Sequence, residues 1–214
     1  MRAVAETYIV QQGDHLSNIA EKFGFWDFLT IWDHPNNAEL KKARHNAHIL
    51  LPGDALYIPD KKPKAESRPT GSKHVFEILT RPLMLRIVLK DIDDHPIAGM
   101  PCELDLEGTK HQVQSDGSGL IEMPIPRGAR QGLLTIPDLD MTLPVRIGHL
   151  DPADTESGWL ARLRNLGYYH SESDTEDKLR LRYAIEEFQC EYGLKVSGEL
   201  DAATRVKLQQ VHGS

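Results

Sequence analysis

Cysteine is scarce in this chain, with two residues, Cys102 and Cys190, in 214. They lie far apart in regions of different pattern, so neither a disulfide framework nor a paired-thiol metal site is expected, and both read as reduced thiols. No apolar run reaches the roughly 18 residues that a membrane-spanning helix needs, which argues against membrane insertion. The opening "MRAVAETYIV" has no apolar stretch of about 7 to 15 residues before the first folded element, so synthesis in the cytoplasm without a secretory leader is expected. No repeat of solenoid length is present. Gly-x-Ser-x-Gly, His-Glu-x-x-His and phosphate-binding glycine loops are all absent, and with them the usual signatures of hydrolases, zinc peptidases and nucleotide enzymes. Cys102 sits within the alternating stretch "MPCELDL" with no histidine motif beside it, which does not describe an activated nucleophile.

Basic charge is short as well. The formal net charge is −7, and residues 61–73, "KKPKAESRPTGSK", form the one positive stretch. Three acidic segments around a short solvated basic one give no reason to expect a nucleic-acid partner. That stretch holds lysine, proline, serine and glycine with little that is apolar, so it cannot repay the entropy of ordering and reads as a flexible linker. A second break falls in "IGHLDPADTESG", where strand-like alternation stops and helical spacing begins. The expected organisation is a folded unit over 1–60, a basic linker over 61–73, a β-rich unit over 74–149 and a helical unit over 150–214.

Within 74–149, "LMLRIVLKD", "PCELDLEG", "LIEMPIP", "GLLTIPD" and "LPVRIG" read as short strands, with "DDHPIAG" a turn and "SDGSG" a hairpin connection. Six or seven such strands suggest an antiparallel sandwich. Asp91, Asp93 and Asp94 lie at a strand-to-turn junction without the spaced ligands of a calcium loop.

In the first unit, Tyr8 and Val10 point one way on a strand and Gly13 allows a turn. Leu16, Ile19, Ala20 and Phe23 then fall on one helical face, with Asp14 the expected N-cap. A second helical run includes Phe28, Leu29 and Trp32, and "ALYIP" closes the unit with Leu56 and Ile58 inward. His45 and His48, near Asp33 and His34, share a helical face but lack a metal-site signature, and no metal or other cofactor is expected. "YIVQQGDHLSNIAEKFG" followed by "LLPGDALYIP" resembles a LysM domain. The resemblance implies a βααβ fold and a shallow groove for N-acetylglucosamine-containing glycans. By position, that groove would be lined by Gly13, Asp14, His15, Leu16 and Ser17 and by Ile49, Leu50, Leu51 and Pro52. His15 stands where the family usually has threonine.

The last unit shows helical stripes at Trp159, Leu160, Leu163 and Leu166, at Leu181, Ala184, Ile185, Phe188 and Tyr192, and at Thr204, Leu208 and Val211. Gly167 and Gly193 close the first two, and Asp201 opens the third. Ser173, Asp174 and Thr175 offer caps for the second helix. A three-helix bundle is expected. "LRNLGYY" and "AIEEFQCEYGLKVSGELDAATRVKL" are similar to the peptidoglycan-binding domain 1 family, which implies glycan contact near Gln189 and Tyr192.

The middle segment resembles small immunoglobulin-like or carboxypeptidase-regulatory-like sandwiches, which serve as spacers or interaction units. The whole is expected to be a multidomain α+β chain: an N-terminal LysM-like domain, a central antiparallel β-sandwich and a C-terminal three-helix bundle. The expected function is non-catalytic binding of peptidoglycan by two terminal modules. Leaderless chains of this architecture resemble accessory proteins of type VI secretion and phage-like contractile systems, which implies delivery to a periplasm or target-cell wall, with secretion-machine or effector proteins as partners. The alternative is a protein-docking adaptor of such a machine. Oligomeric state is not legible in the sequence.

Overall fold

The computed structural model describes residues 5–61, 67–75, 82–91, 93–169 and 178–214. Helices and antiparallel sheets make it a mixed α+β chain. It divides into two compact units, 1–149 and 150–214. The N-terminal lobe and the β-rich segment belong to the same unit.

The lobe opens with β1 (Glu6–Ile9), which pairs antiparallel with β2 (Ala55–Ile58), Tyr8 opposite Leu56. Between them come α1 (Leu16–Lys22), α2 (Leu29–Trp32), a 3-10 turn at Pro35–Asn37 and α3 (Ala38–Arg44). The polar stretch after Trp32 contains a further helix, α3, which buries none of its residues and so shows no apolar stripe. Its last residue is held instead by a two-pronged ion pair, Arg44 Nε to Asp54 at 2.8 Å and Nη2 at 2.9 Å. Leu16, Ile19, Ala20, Ile31, Leu56 and Ile58 are all at most 1% exposed and form the lobe's core. Asn37 clasps β2: its amide nitrogen donates to the carbonyls of Ile31 and Tyr57, and its oxygen accepts from the Tyr57 N–H, each at 2.8 Å. The N-cap of α1 is His15 rather than the expected Asp14. The Asp14 carboxylate is engaged by the Tyr8 hydroxyl and the Gln11 N–H.

Among the described residues six strands follow: β3 (Leu83–Val88), β4 (Pro101–Leu106), β5 (Thr109–Gln114), β6 (Leu120–Ile125), β7 (Gln131–Ile136) and β8 (Met141–Arg146). β3 pairs with β6, and the other four run in the order β5-β4-β7-β8. Cys102, Leu104 and Leu106 of β4, Ile121 and Ile125 of β6, and Leu134 and Ile136 of β7 share one buried cluster, so the two sheets face each other across it. β5 is the strand that sequence pattern missed, because "TKHQVQ" buries no residue fully. The "SDGSG" connection does not form the expected hairpin, since it carries the chain from β5 in one sheet to β6 in the other.

The second unit holds α4 (Glu156–Asn165), α5 (Lys178–Glu191) and α6 (Ala202–His212). All three contribute to one core containing Trp159, Leu163, Ile185, Phe188 and Leu208. Thr155 caps α4 by accepting from the Gly158 N–H, and Asp201 caps α6 by accepting from the Thr204 N–H at 2.8 Å. The proposed caps of α5, Ser173, Asp174 and Thr175, lie outside the described residues.

Candidate functional site

The groove expected on the N-terminal lobe is closed in this arrangement. Gly13, Asp14, His15, Leu16 and Ser17 are all buried, Leu50 is buried, Ile49 and Leu51 are half-buried, and Pro52 alone is exposed. The β-rich segment supplies the cover. At Gly148 the backbone lies so close that an added Cβ would sit 2.6 Å from the Gly13 carbonyl oxygen, and its φ of +76° also favours glycine. His149 lies over Gly13, with its Nε2 3.2 Å from where a Cβ there would be. Of the residues assigned to sugar contact by resemblance, Gly13 and His15 thus lie against the β-rich segment, a placement that only the tertiary packing reveals.

His15 is the centre of that seam. It is 1% exposed, and its ring nitrogens meet only the backbone at Asn18 and Ala129, without a well-formed hydrogen bond; Nδ1 of the neighbouring His48 is unpartnered. The two rings meet edge to face at 5.9 Å, and His48 packs in turn on Phe28 at 4.8 Å. Burial, with the nearby His48 adding to it, depresses His15 to about 4, while the Ala129 backbone and Asp14 pull weakly the other way. Burial also lowers His48. Both imidazoles are therefore neutral at pH 7. His45 ends α3 with a φ of 53°, and His48 lies beyond that helix, so the expected common face for the two does not form.

In the second unit, Gln189 is fully buried and its side-chain amide is consumed. The two hydrogens on Nε2 are shared among the Glu199 carbonyl and Thr204 Oγ1, both at 2.9 Å, and Ser197 Oγ at 3.2 Å, and Oε1 accepts from the N–H groups of Ser197 and Gly198. It offers a sugar no free group, which corrects its nomination as a glycan contact. The residue holds the Ser197–Glu199 turn onto α5. Tyr192 is half-buried, packed 4.7 Å from Phe188, with the Lys207 ammonium 4.9 Å from its ring centroid. Arg162, 0% exposed, donates to the carbonyls of Asp151, Gly158 and Ser214 and ties the ends of the unit to α4.

A cavity of about 360 Å³ opens on the β-rich segment, lined by Glu107, Arg130, Gln131, Arg146 and His149. None of these was singled out from the sequence. The turn after β4 and the pairing of β7 with β8 bring them together from positions 107 to 149, and no local motif marks that. Elsewhere, Cys102 is buried in the sandwich core, and burial pushes its thiol up, away from the reactive thiolate. The Asp91 carboxylate accepts from the N–H groups of Asp93 and His95, which is turn chemistry.

The fold and these surfaces define a modular α+β chain with a helical unit separate from a lobe-and-sandwich unit. Residues 161–208 of that helical unit match the model of the PG_binding_1 family, described as "Putative peptidoglycan binding domain". No curated protein and no solved structure matches the chain.

Proposed function

We propose that the chain is a non-catalytic peptidoglycan-binding protein whose wall-binding part is the helical unit 150–214. The observation that carries this reading is the family match over 161–208, which falls inside one compact unit with its own core. In this reading the sandwich is a spacer, and the protein reaches the wall in association with a contractile secretion machine.

For the N-terminal lobe a different reading is favoured by a specific observation. His15 is covered by the chain's own segments at Ala129 and Gly148, and Gly13 beside it by His149. The lobe therefore acts as a docking element for protein surface, and its LysM-like groove contributes little to glycan binding while seated. The bivalent reading, in which both terminal modules hold wall at once, requires that seam to open.

The test is co-sedimentation of the intact chain with insoluble peptidoglycan, beside a chain ending at residue 149. Retention of the first and loss of the second supports the reading. Equal retention of both moves wall binding to the first unit, 1–149, and turbidity loss of the wall suspension on adding protein alone would make the chain a hydrolase.

A further inference from the structure

The cavity on the β-rich segment is positively lined in a chain of net charge −7. Its one acid, Glu107, is already committed. Glu107 stands at φ +50° in the two-residue turn between β4 and β5, a conformation uncommon for a residue with a side chain. From there its Oε1 accepts from the backbone N–H groups of Arg130 and Gln131, at 3.0 and 3.2 Å. It thus fixes the cavity wall through the backbone, and it forms no ion pair with Arg130 or Arg146. Those two guanidiniums make no salt bridge among the described residues, and both are exposed at the cavity. His149 completes the lining, its Nδ1 3.5 Å from Gln12 Nε2. Register explains the convergence: Gln131 and Arg146 are direct partners across β7 and β8, and the Arg130 carbonyl accepts from the Ile147 N–H.

We propose that this cavity is a binding site for a carboxylate, held by Arg130 and Arg146 with His149 beside them. A planar guanidinium presents paired donors that match the two oxygens of a carboxylate, and two of them facing one cavity favour an acidic ligand. The volume corresponds to roughly a dozen waters, enough for a short acidic peptide or one acidic sugar. Resting on the peptidoglycan reading above, the ligand class is the carboxylate-bearing glycopeptide of the wall, whose stem peptides carry free acids. The wall would then be held by an acid-reading pocket on the first unit in addition to the helical unit.

The test uses the full chain, labelled for NMR, with a soluble muropeptide carrying free carboxylates, the same muropeptide with its carboxylates amidated, and inorganic phosphate. The expected result is perturbation of the Arg130, Arg146 and His149 signals by the free acid, with affinity falling roughly tenfold on amidation and again in the double variant Arg130→Gln, Arg146→Gln. Arg86→Gln, which removes an exposed cation paired to Glu122 on the other sheet, should leave those perturbations unchanged. Equal perturbation by free and amidated forms, or none by either, overturns the proposal. Perturbation by phosphate alone overturns the carboxylate assignment. Silence at the cavity while the wild-type chain still sediments with insoluble wall removes this site and leaves the wider reading standing.

Discussion

His15 and Gln189 invite comparison because family resemblance nominates both as sugar contacts and the fold buries both almost completely. Their fates differ in hydrogen bonding. Gln189 uses both N–H hydrogens, shared among three acceptors, and its oxygen accepts twice, which saturates its amide and holds a turn against α5. His15 makes no well-formed one through its ring, which meets only the backbone at Asn18 and Ala129, and it lies against a second imidazole whose Nδ1 is unpartnered. A satisfied buried polar group stabilises its surroundings, whereas an unsatisfied one carries a desolvation cost of about 1 to 3 kcal/mol. The helical unit is therefore stitched by its buried polar residues, and the seam beneath the N-terminal lobe is weakened by its own.

Removing each group should separate the two cases. Gln189→Leu leaves the N–H groups of Ser197 and Gly198 without their acceptor, and a loss of about 3 kcal/mol is expected by calorimetric melting of the helical unit. A change below about 1 kcal/mol would mean that the turn finds other partners.

Acid should act next most strongly on the lobe. The folded-state value of His15 lies near 4 and its unfolded value near 6.5, so the folded state binds fewer protons between them. Its contribution is fully present above pH 6.5 and is lost as pH falls from there through about 4, on the order of 3 kcal/mol in total. Burial lowers His48 in the same direction. In the helical unit His212 is also depressed to about 4, by burial and then by Arg162, so acid alone does not distinguish the two units. What distinguishes them is the variant: melting followed from pH 7 to 4 should show a shallower acid limb for the lobe in His15→Leu and an unaltered limb for the helical unit.

Gly148→Ala tests the seam by sterics. Its Cβ would lie 2.6 Å from the Gly13 carbonyl oxygen at a φ of +76°, and a loss of about 2 kcal/mol is expected, with faster amide exchange at Gly13–Ser17. Unchanged exchange would mean that the contact does not hold the lobe. The smallest effect is expected from His15→Leu at pH 7, within about 1 kcal/mol of wild type, because no well-formed hydrogen bond is removed. A large loss there would erase the contrast with Gln189.

Much of the architecture is legible in the sequence because local chemistry specifies it. Helical spacing marks α1, α4, α5 and α6, alternation marks β4 and β7, and Asp201 announces the start of α6. Polar elements escape this reading. α3 and β5 have no full apolar face, and their positions are set by an Arg44 to Asp54 pair and by pairing with β4. The candidate sites were less legible still. Motif positions place Gln189 and His15 correctly on the chain, but only packing shows that one is saturated and the other sealed. The arginine cavity depends on strand register across two hairpins, which leaves no trace in spacing.

The measurement that bears most directly on the account is co-sedimentation with insoluble peptidoglycan, comparing the intact chain with one ending at residue 149. The account predicts that the intact chain is retained and that removal of 150–214 releases most of it. Failure of the intact chain to sediment would contradict it, and the search would then move to protein partners of the lobe.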